Sequence, residues 1–320
     1  MDKIKVSLIL PYYNELSSIE YTLNNLLKLN YQPNEIIFVN SNSTDKSFED
    51  INSFIKKNKI SSWHNFDTKL ETPSEAKNFG ISKAKYDWCC FMDFDIAFDQ
   101  NFLKKQVEIY EKNPNKKIFI SVIDHNPSTD LDKLIIMQTW GLGKKSPVIP
   151  GSLIKKEVFI EVGYFLPYRS YYDKVFLKRI LNLNITQINW EVVISYRNIC
   201  YANSFKDFII KTINYHCQQI FIKKLIIPKI YLFLPVILLA FFYYNSNYLY
   251  SFLIIYFLLR GLLIPSQKNQ NFFEKIKILE IFKLFIIGFV YDISKFIGYN
   301  IGLVYLIFKR KIRLDKYYKK

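Results

Sequence analysis

The chain has 320 residues, half of them hydrophobic, with 9 glycines and 11 prolines. That is enough for a well-buried domain and an additional part, and it excludes a disordered or collagen-like chain. The net charge is +16, but residues 1–200 hold 26 basic and 23 acidic side chains while residues 201–320 hold 18 and 5; a nearly neutral first part is followed by one that is both basic and apolar, which suits an anionic membrane surface rather than nucleic acid.

The first 200 residues alternate strand and helix patterns. Lys5–Leu10 is a short apolar run ended by Pro11, and Leu16, Ile19, Leu23, Leu26 and Leu27 then recur at helical spacing. Glu35–Val39 is a second β-rich run, followed by the polar turn Asn40–Asp45. Ser47–Lys57 reads as a helix with Phe48, Ile51, Phe54 and Ile55 on one face, and Pro73–Ala84 as another that Ser74 could cap. Trp88–Met92 has the look of a buried strand, Gln100–Lys112 of a helix and Lys117–Ile123 of a strand. This order predicts an α/β domain over 1–204 with a mainly parallel, Rossmann-like sheet flanked by helices. Ligands of such sheets bind beyond the carboxyl ends of the strands, where Pro11–Glu15, Asn40–Asp45 and Asp93–Asp95 should converge.

Residues 205–320 change character and predict a helical, membrane-associated region. Ile230–Tyr244 and Tyr248–Ile264 are apolar and joined by the turn Asn245–Asn247, so a hydrophobic hairpin is expected over about 225–265. Each arm is marginal for a span of roughly 17–25 residues. Lys229 could snorkel, and Arg260 lies near the end of its arm, where a charge is less costly than at mid-membrane. A re-entrant hairpin and a buried hairpin of a soluble domain are the alternatives. Phe282, Phe285, Ile286, Phe289, Ile293, Phe296 and Ile297 form a stripe, with Lys283, Asp292 and Lys295 on another side; about 272–320 thus reads as an amphipathic, basic tail. Lys223, Lys224 and Lys229 precede the hairpin, twelve Lys and Arg follow from Gln267 on, and the connecting turn has none. The positive-inside rule then puts catalytic domain and tail on the cytoplasmic side of the cytoplasmic membrane. No secretory h-region opens the sequence. Cys89, Cys90, Cys200 and Cys217 lack metal or disulfide spacing.

Asp93-Phe94-Asp95 is the sharpest chemical signal. In an extended segment Asp93 and Asp95 point the same way, and two carboxylates so close repel unless a cation lies between them. A hard divalent cation, Mn2+ or Mg2+, would also bind phosphate oxygens. A solvated acidic strand end is the plain alternative.

Together with their order and spacing, Val6–Glu15, Glu35–Val39, Ser43-Thr44-Asp45, Ala76-Lys77-Asn78 with Gly80, and Asp93 with Asp95 resemble the family 2 glycosyltransferases over residues 5–200. The resemblance implies the GT-A fold and a metal-dependent, inverting transfer of a sugar from a nucleoside-diphosphate sugar to an acceptor hydroxyl. It implies that Pro11, Tyr12, Tyr13, Asn14 and Glu15 line the nucleotide pocket with Asn40, Lys77, Asn78 and Asp93, and that Asp95 and Asp93 hold the metal. Lys77 stands where the family has Arg, which keeps charge but loses the bidentate fork. Asn40 stands where it has the Asp that meets the base. An amide offers both an acceptor and a donor, so the base is left open. Pro150–Ile154 with Gly163–Phe165 resembles the segment before the family's E-D motif. There Tyr172 replaces the Glu, and Asp173, six residues before Arg179, matches the Asp. The resemblance makes Asp173 the base; its other reading is a helix N-cap. Asp124 and His125 are held in reserve.

By the same resemblance, the acceptor is a lipid-linked or cell-envelope glycan, as in polysaccharide biosynthesis. Two rivals remain. One is a non-catalytic, membrane-bound scaffold, which Asn40, Lys77 and Tyr172 favour. The other is a sugar nucleotidyltransferase, although Pro11–Glu15 lacks the glycine-rich loop that would require. A processive polysaccharide synthase is disfavoured by Cys217–Lys223, which lacks the tryptophan of the Q-x-x-R-W motif. Gly141–Lys144 has the wrong spacing for a phosphate loop and reads as a surface loop or a lid.

Overall fold

The structure, a computed structural model, describes residues 4–168, 170–196, 202, 204–219, 239, 240, 243 and 246–308. The chain forms two compact units, Met1–Asp124 with Lys145–Arg197, and His125–Lys144 with Asn198–Lys320. The segment His125–Lys144, expected within the first domain, therefore groups with the second.

The first unit is an α/β layer built on β1 (Val6–Tyr12), β2 (Glu35–Ser41), β3 (Trp63–Thr68), β4 (Trp88–Phe91), β5 (Ile96–Phe98), β6 (Ile118–Asp124), β7 (Ser146–Lys155) and β8 (Thr186–Tyr196). The sheet order is β3-β2-β1-β4-β7-β6-β8-β5. Strands β3, β2, β1 and β4 are mutually parallel. Antiparallel β7 separates β4 from β6, and β5 closes the edge antiparallel to β8. β6 and β8 pair in parallel, so the sheet is mixed but mainly parallel, as the sequence predicts, with β7 and β5 the reversed strands.

Strand periodicity divides the core between two faces. Val6, Leu8, Leu10 and Tyr12 of β1 join Phe38 and Phe94 under helices α1 (Ile19–Leu27), α2 (Ser47–Lys57) and α4 (Phe102–Lys112). Ile9, Ile37 and Phe91 face the other way, under α3 (Pro73–Lys83), α6 (Lys156–Val162) and α7 (Tyr172–Ile180). All seven residues of β1 are buried, and each large aliphatic among them contributes roughly 1.5–3 kcal/mol. Helix α3 starts on a capping box. Thr72, not Ser74, is its N-cap; the Thr72 hydroxyl oxygen accepts the Glu75 N–H at 3.3 Å, and Pro73 takes the first turn. Ser74 instead donates to the Tyr168 carbonyl.

The second unit contains α5 (Asp130–Thr139), α8 (Phe205–Gln219), a helix through Ser246–Leu258, the π-turn Leu259–Leu263 and Ile264–Lys268, and a long helix Ile278–Phe308. Leu134, Ile135, Met137, Phe208, Leu284 and Ile287 form its core. Gly141 has φ +93°, and a Cβ there would meet the Lys268 carbonyl at 2.1 Å. With the Leu142 N–H on Asn269 Oδ1 at 2.6 Å, the Gly141–Lys144 loop is pinned to its own unit.

The first arm of the expected hairpin lies largely outside the described residues, as does the tail beyond residue 308. Among the described residues, one helix, Tyr250–Lys268, is long and apolar enough to cross a membrane, with a mean hydropathy of 1.3. Arg260, expected near the end of the second arm, lies in this helix within the second unit. It is 4 % exposed and paired with Asp292, its Nε 2.6 Å from Oδ2. Tyr256 donates to the same oxygen, and Gln138 Nε2 donates to the carbonyls of Arg260 and Leu284. The outer face of Ile278–Phe308 is apolar: Phe282, Ile286, Phe289, Ile293 and Ile297 are exposed.

Candidate active site

A cleft of about 510 Å3 opens at the carboxyl ends of β1, β2 and β4, as switch-point geometry requires. Pro11, Tyr12, Tyr13 and Glu15 line it from β1 and its turn, and Ser41 and Asn42 from β2. Leu70, Glu71 and Pro73 enter from the approach to α3, Asp93, Phe94 and Asp95 from the end of β4, and Tyr172 from α7.

The turns around the cleft lock one another. Asn14 adopts φ +54°, a left-handed conformation that Asn tolerates. Its backbone N–H donates to Ser43 Oγ, and its side-chain oxygen accepts the Thr44 N–H at 2.8 Å. The Glu15 N–H donates to Ser47 Oγ and the Leu16 N–H to Asp45. The Ser43-Thr44-Asp45 turn therefore clamps the β1 turn. Asn14, expected at the nucleotide, serves that clamp and is not among the cleft-lining residues.

The Asp-Phe-Asp turn is anchored through Phe94, which is 1 % exposed and packs on Tyr12 at 5.5 Å between ring centroids. Asp93 and Asp95 line the cleft. Burial, with Asp93 and Glu15 nearby, pushes Asp95 up to about 7. Paired carboxylates are hard oxygen donors of the kind that Mg2+ and Mn2+ take together with phosphate and water. Asp93 and Asp95 fit such an ion, with Glu15 adding charge. Among the described residues no cluster of three or more His, Cys, Asp or Glu side chains is arranged to hold a metal, so protein ligation would rest on the pair.

Lys77 is the hub. It is wholly buried on α3, with Nζ 3.2 Å from Asp93 Oδ1, 3.8 Å from Asp173 Oδ1 and 3.0 Å from the Tyr172 hydroxyl oxygen. Gly80 allows this approach, because a Cβ there would lie 2.4 Å from Ile9 Cγ2 of β1. Burial opposes the ammonium charge, but the carboxylates of Asp173 and Asp93 hold its pKa well above the ordinary lysine range. Asp173 is pushed up to about 6 by burial, against the pull of Lys77. It does not cap α7: the N-cap is Tyr171, in the left-handed region at φ +66°, and no side chain caps that end. Asp173 Oδ1 is buried without a hydrogen bond, and its side chain remains 29 % exposed.

Other expected residues lie elsewhere. The Asn78 amide bonds the Phe165 backbone in both directions, at 2.8 and 3.1 Å, which fixes α3 to the segment before α7, and Asn78 is not among the cleft-lining residues. Asn40 is 3 % exposed, its amide bonds Asp67 and the Ser43 N–H, and it is not among the cleft-lining residues. Asp124 ends β6 opposite Ser195 and is not among the cleft-lining residues. His125 belongs to the second unit, buried and stacked on Trp140 at 5.0 Å. Arg179 donates to the carbonyls of Val162, Gly163 and Tyr164, closing the end of α6. Leu70, Glu71 and Pro73 were not foreseen as cleft residues; the Thr72-Pro73-Ser74-Glu75 capping box was the available signal for where that wall begins.

An α/β sheet of this order with a carboxylate-lined cleft at the carboxyl ends of β1, β2 and β4 is an architecture of the GT-A type. The model of the family described as Glycosyl transferase family 2 matches residues 7–194, more than half of the chain, and the chain belongs to that family. It is 30 % identical over 181 residues to the poly-beta-1,6-N-acetyl-D-glucosamine synthase of Staphylococcus epidermidis, covering 50 % of this chain and 42 % of that protein. It is 33 % identical over 108 residues to an uncharacterized glycosyltransferase of Haemophilus influenzae, covering 34 % of this chain and 43 % of that one. The matches span less than half of either relative. A mannosyltransferase from Pyrobaculum calidifontis, solved with GDP-Man and Mn2+, has a similar fold, with a TM-score of 0.52 at 15 % identity over 96 % of this chain and 88 % of that one.

Proposed function

We propose that this protein transfers a sugar from a nucleoside-diphosphate sugar to a hydroxyl of a glycan, with Asp173 as the base. The observation that carries the reading is the Lys77 cluster, in which one buried cation holds both the first carboxylate of the Asp-Phe-Asp turn and the candidate base. It links the donor side of the cleft to the acceptor side. A base that titrates near 6 is ionised at neutral pH yet basic enough to take a proton. The acceptor oxygen attacks the anomeric carbon as its proton passes to Asp173. The bond from that carbon to the diphosphate breaks in line, its electron pair leaves with the diphosphate, and the anomeric centre inverts. A divalent cation on Asp93 and Asp95 would, when bound, neutralise the diphosphate charge. The Mn2+ in the mannosyltransferase named above is consistent with that requirement. The synthase relative points to N-acetylglucosamine as the first sugar to test and to a polysaccharide product.

The same reading places the second unit at a membrane. Its charged pair Arg260–Asp292 faces inward while Phe282, Ile286, Phe289 and Ile293 face outward, the polarity expected in lipid. The test is donor binding by the full chain in detergent: UDP-N-acetylglucosamine with Mn2+ should raise Tm by several degrees, and Asp95→Asn should abolish the shift. An equal shift in Asp95→Asn refutes the assigned donor site.

A further inference from the structure

Resting on the donor reading above, we propose that the Tyr172 hydroxyl is a catalytic hydrogen-bond donor to the departing diphosphate, and that it brings into the cleft the charge of a lysine that cannot reach there itself. Among the described residues that line the cleft, Glu15, Glu71, Asp93 and Asp95 are acids and none is lysine or arginine. A diphosphate entering it meets walls of its own sign. Lys77, expected at the nucleotide, is wholly buried behind that wall and is not among the cleft-lining residues. Its charge therefore acts through another group.

Hydrogen-bond polarity identifies that group. An ammonium can only donate, so the Tyr172 oxygen accepts from Lys77 Nζ at 3.0 Å. A phenol keeps its own proton at neutral pH, and burial beside the Asp173 carboxylate reinforces this. No side chain or carbonyl among the described residues accepts that proton. Tyr172 lines the cleft, so the proton has the cleft to donate into. Lys77 draws on the oxygen, polarises the O–H bond and strengthens the donor.

The hydroxyl is held in place. The Tyr172 ring is buried, stands edge-on to Phe165 at 5.9 Å between centroids and has Lys77 Nζ 5.1 Å from its centre. Asn78, next to Lys77 on α3, bonds the Phe165 backbone, so lysine and phenol are fixed to the same support. Lys77 Nζ also lies 3.2 Å from Asp93 Oδ1. Hydroxyl and carboxylate thus flank one ammonium, and a diphosphate held at Asp93 and Asp95 rests beside the hydroxyl. Lys77 and Tyr172 are both departures from the family's pattern, and they meet here as a pair.

As the bond from the anomeric carbon breaks, its electron pair stays on the diphosphate oxygen, and the Tyr172 O–H bonds to the growing charge. The acceptor's proton goes to Asp173, and the phenol proton remains on the phenol. A donor aimed at growing charge favours the transition state over the bound substrate.

Tyr172→Phe removes the hydroxyl and keeps the ring. The experiment is calorimetric titration of the full chain in detergent, with Mn2+, using two pairs of probes: UDP with UDP-N-acetylglucosamine, and GDP with GDP-mannose. Tm and kcat are read on the same preparation. A freed diphosphate carries added negative charge on its terminal phosphate. In the pair that binds, Tyr172→Phe should therefore weaken the diphosphate about ten-fold while its sugar ester stays within about two-fold. The value of kcat should fall by roughly 10²-fold. If Tyr172→Phe lowers Tm, its combination with Lys77→Met, which removes the ammonium left short of an acceptor, carries the same comparison. Unchanged diphosphate affinity in the variant, or an equal loss of both members of the pair, overturns the assignment of Tyr172 while leaving the donor site standing. Failure of wild type to bind either pair overturns both.

Discussion

Replacing Lys77 by methionine tests the hub of the site. The substitution keeps the length of the side chain and removes a cation 3.8 Å from Asp173 and 3.2 Å from Asp93. At an effective dielectric of ~20, a unit charge at 3.8 Å is worth about 4 kcal/mol, a ceiling of about three pKa units. Asp173 is 29 % exposed, so solvent screening reduces this to about one to two units. The sign follows from the charge. Without the ammonium, the carboxylate is harder to ionise, its pKa rises from about 6, and the acid limb of kcat/KM moves to higher pH, near 7–8. Lys77→Arg keeps the charge and should leave the limb near 6. The assay is kcat/KM for sugar transfer between pH 5 and 9, with Tm as a check on folding. A Lys77→Met enzyme that remains folded, transfers sugar and keeps its limb at about 6 would refute the coupling.

Three further outcomes follow from the same geometry. Burial, with Asp93 and Glu15 nearby, pushes Asp95 up to about 7, well above an unfolded aspartate, so this group adds stability at acid pH that is lost as pH rises from about 4 through 7; Tm should decline over that window, and added Mn2+ should flatten the decline. Breaking the buried pair on one side, with Arg260→Met or Asp292→Leu, should destabilise by about 3–5 kcal/mol, and the double variant should recover most of it, as thermal unfolding in detergent reads. Gly80→Ala drives a methyl group into Ile9 of β1; thermal unfolding should show a loss of about 1–3 kcal/mol, and the outward shift of α3 should lower kcat more than it raises the donor KM.

Legibility in the sequence tracked hydrophobic contrast. β1, β2 and β4 are continuous apolar runs, and their order alone puts Pro11–Glu15 and Asp93–Asp95 at one end of a sheet. β3 was missed because Trp63-His64-Asn65-Phe66-Asp67-Thr68 has one buried side chain, Trp63; polar residues fill an outer strand of a parallel sheet. Asn40 and Asn78 could not be placed from residue type, since an amide that bonds its own backbone looks in sequence like one that bonds a ligand. Position along a helix likewise said nothing of a partner for Arg260, because Asp292 lies 32 residues away. The antiparallel insertion of β7 between β4 and β6 is a tertiary choice with no local signature.

The most direct test of the central claim separates binding from transfer in one preparation. Asp173→Asn preserves shape and removes the proton acceptor. Donor Kd should stay within about two-fold of wild type, while transfer from UDP-N-acetylglucosamine, or whichever donor binds, should fall by roughly 10²–10⁴. Full transfer by Asp173→Asn would contradict the account, as would a loss of donor binding equal to the loss of rate.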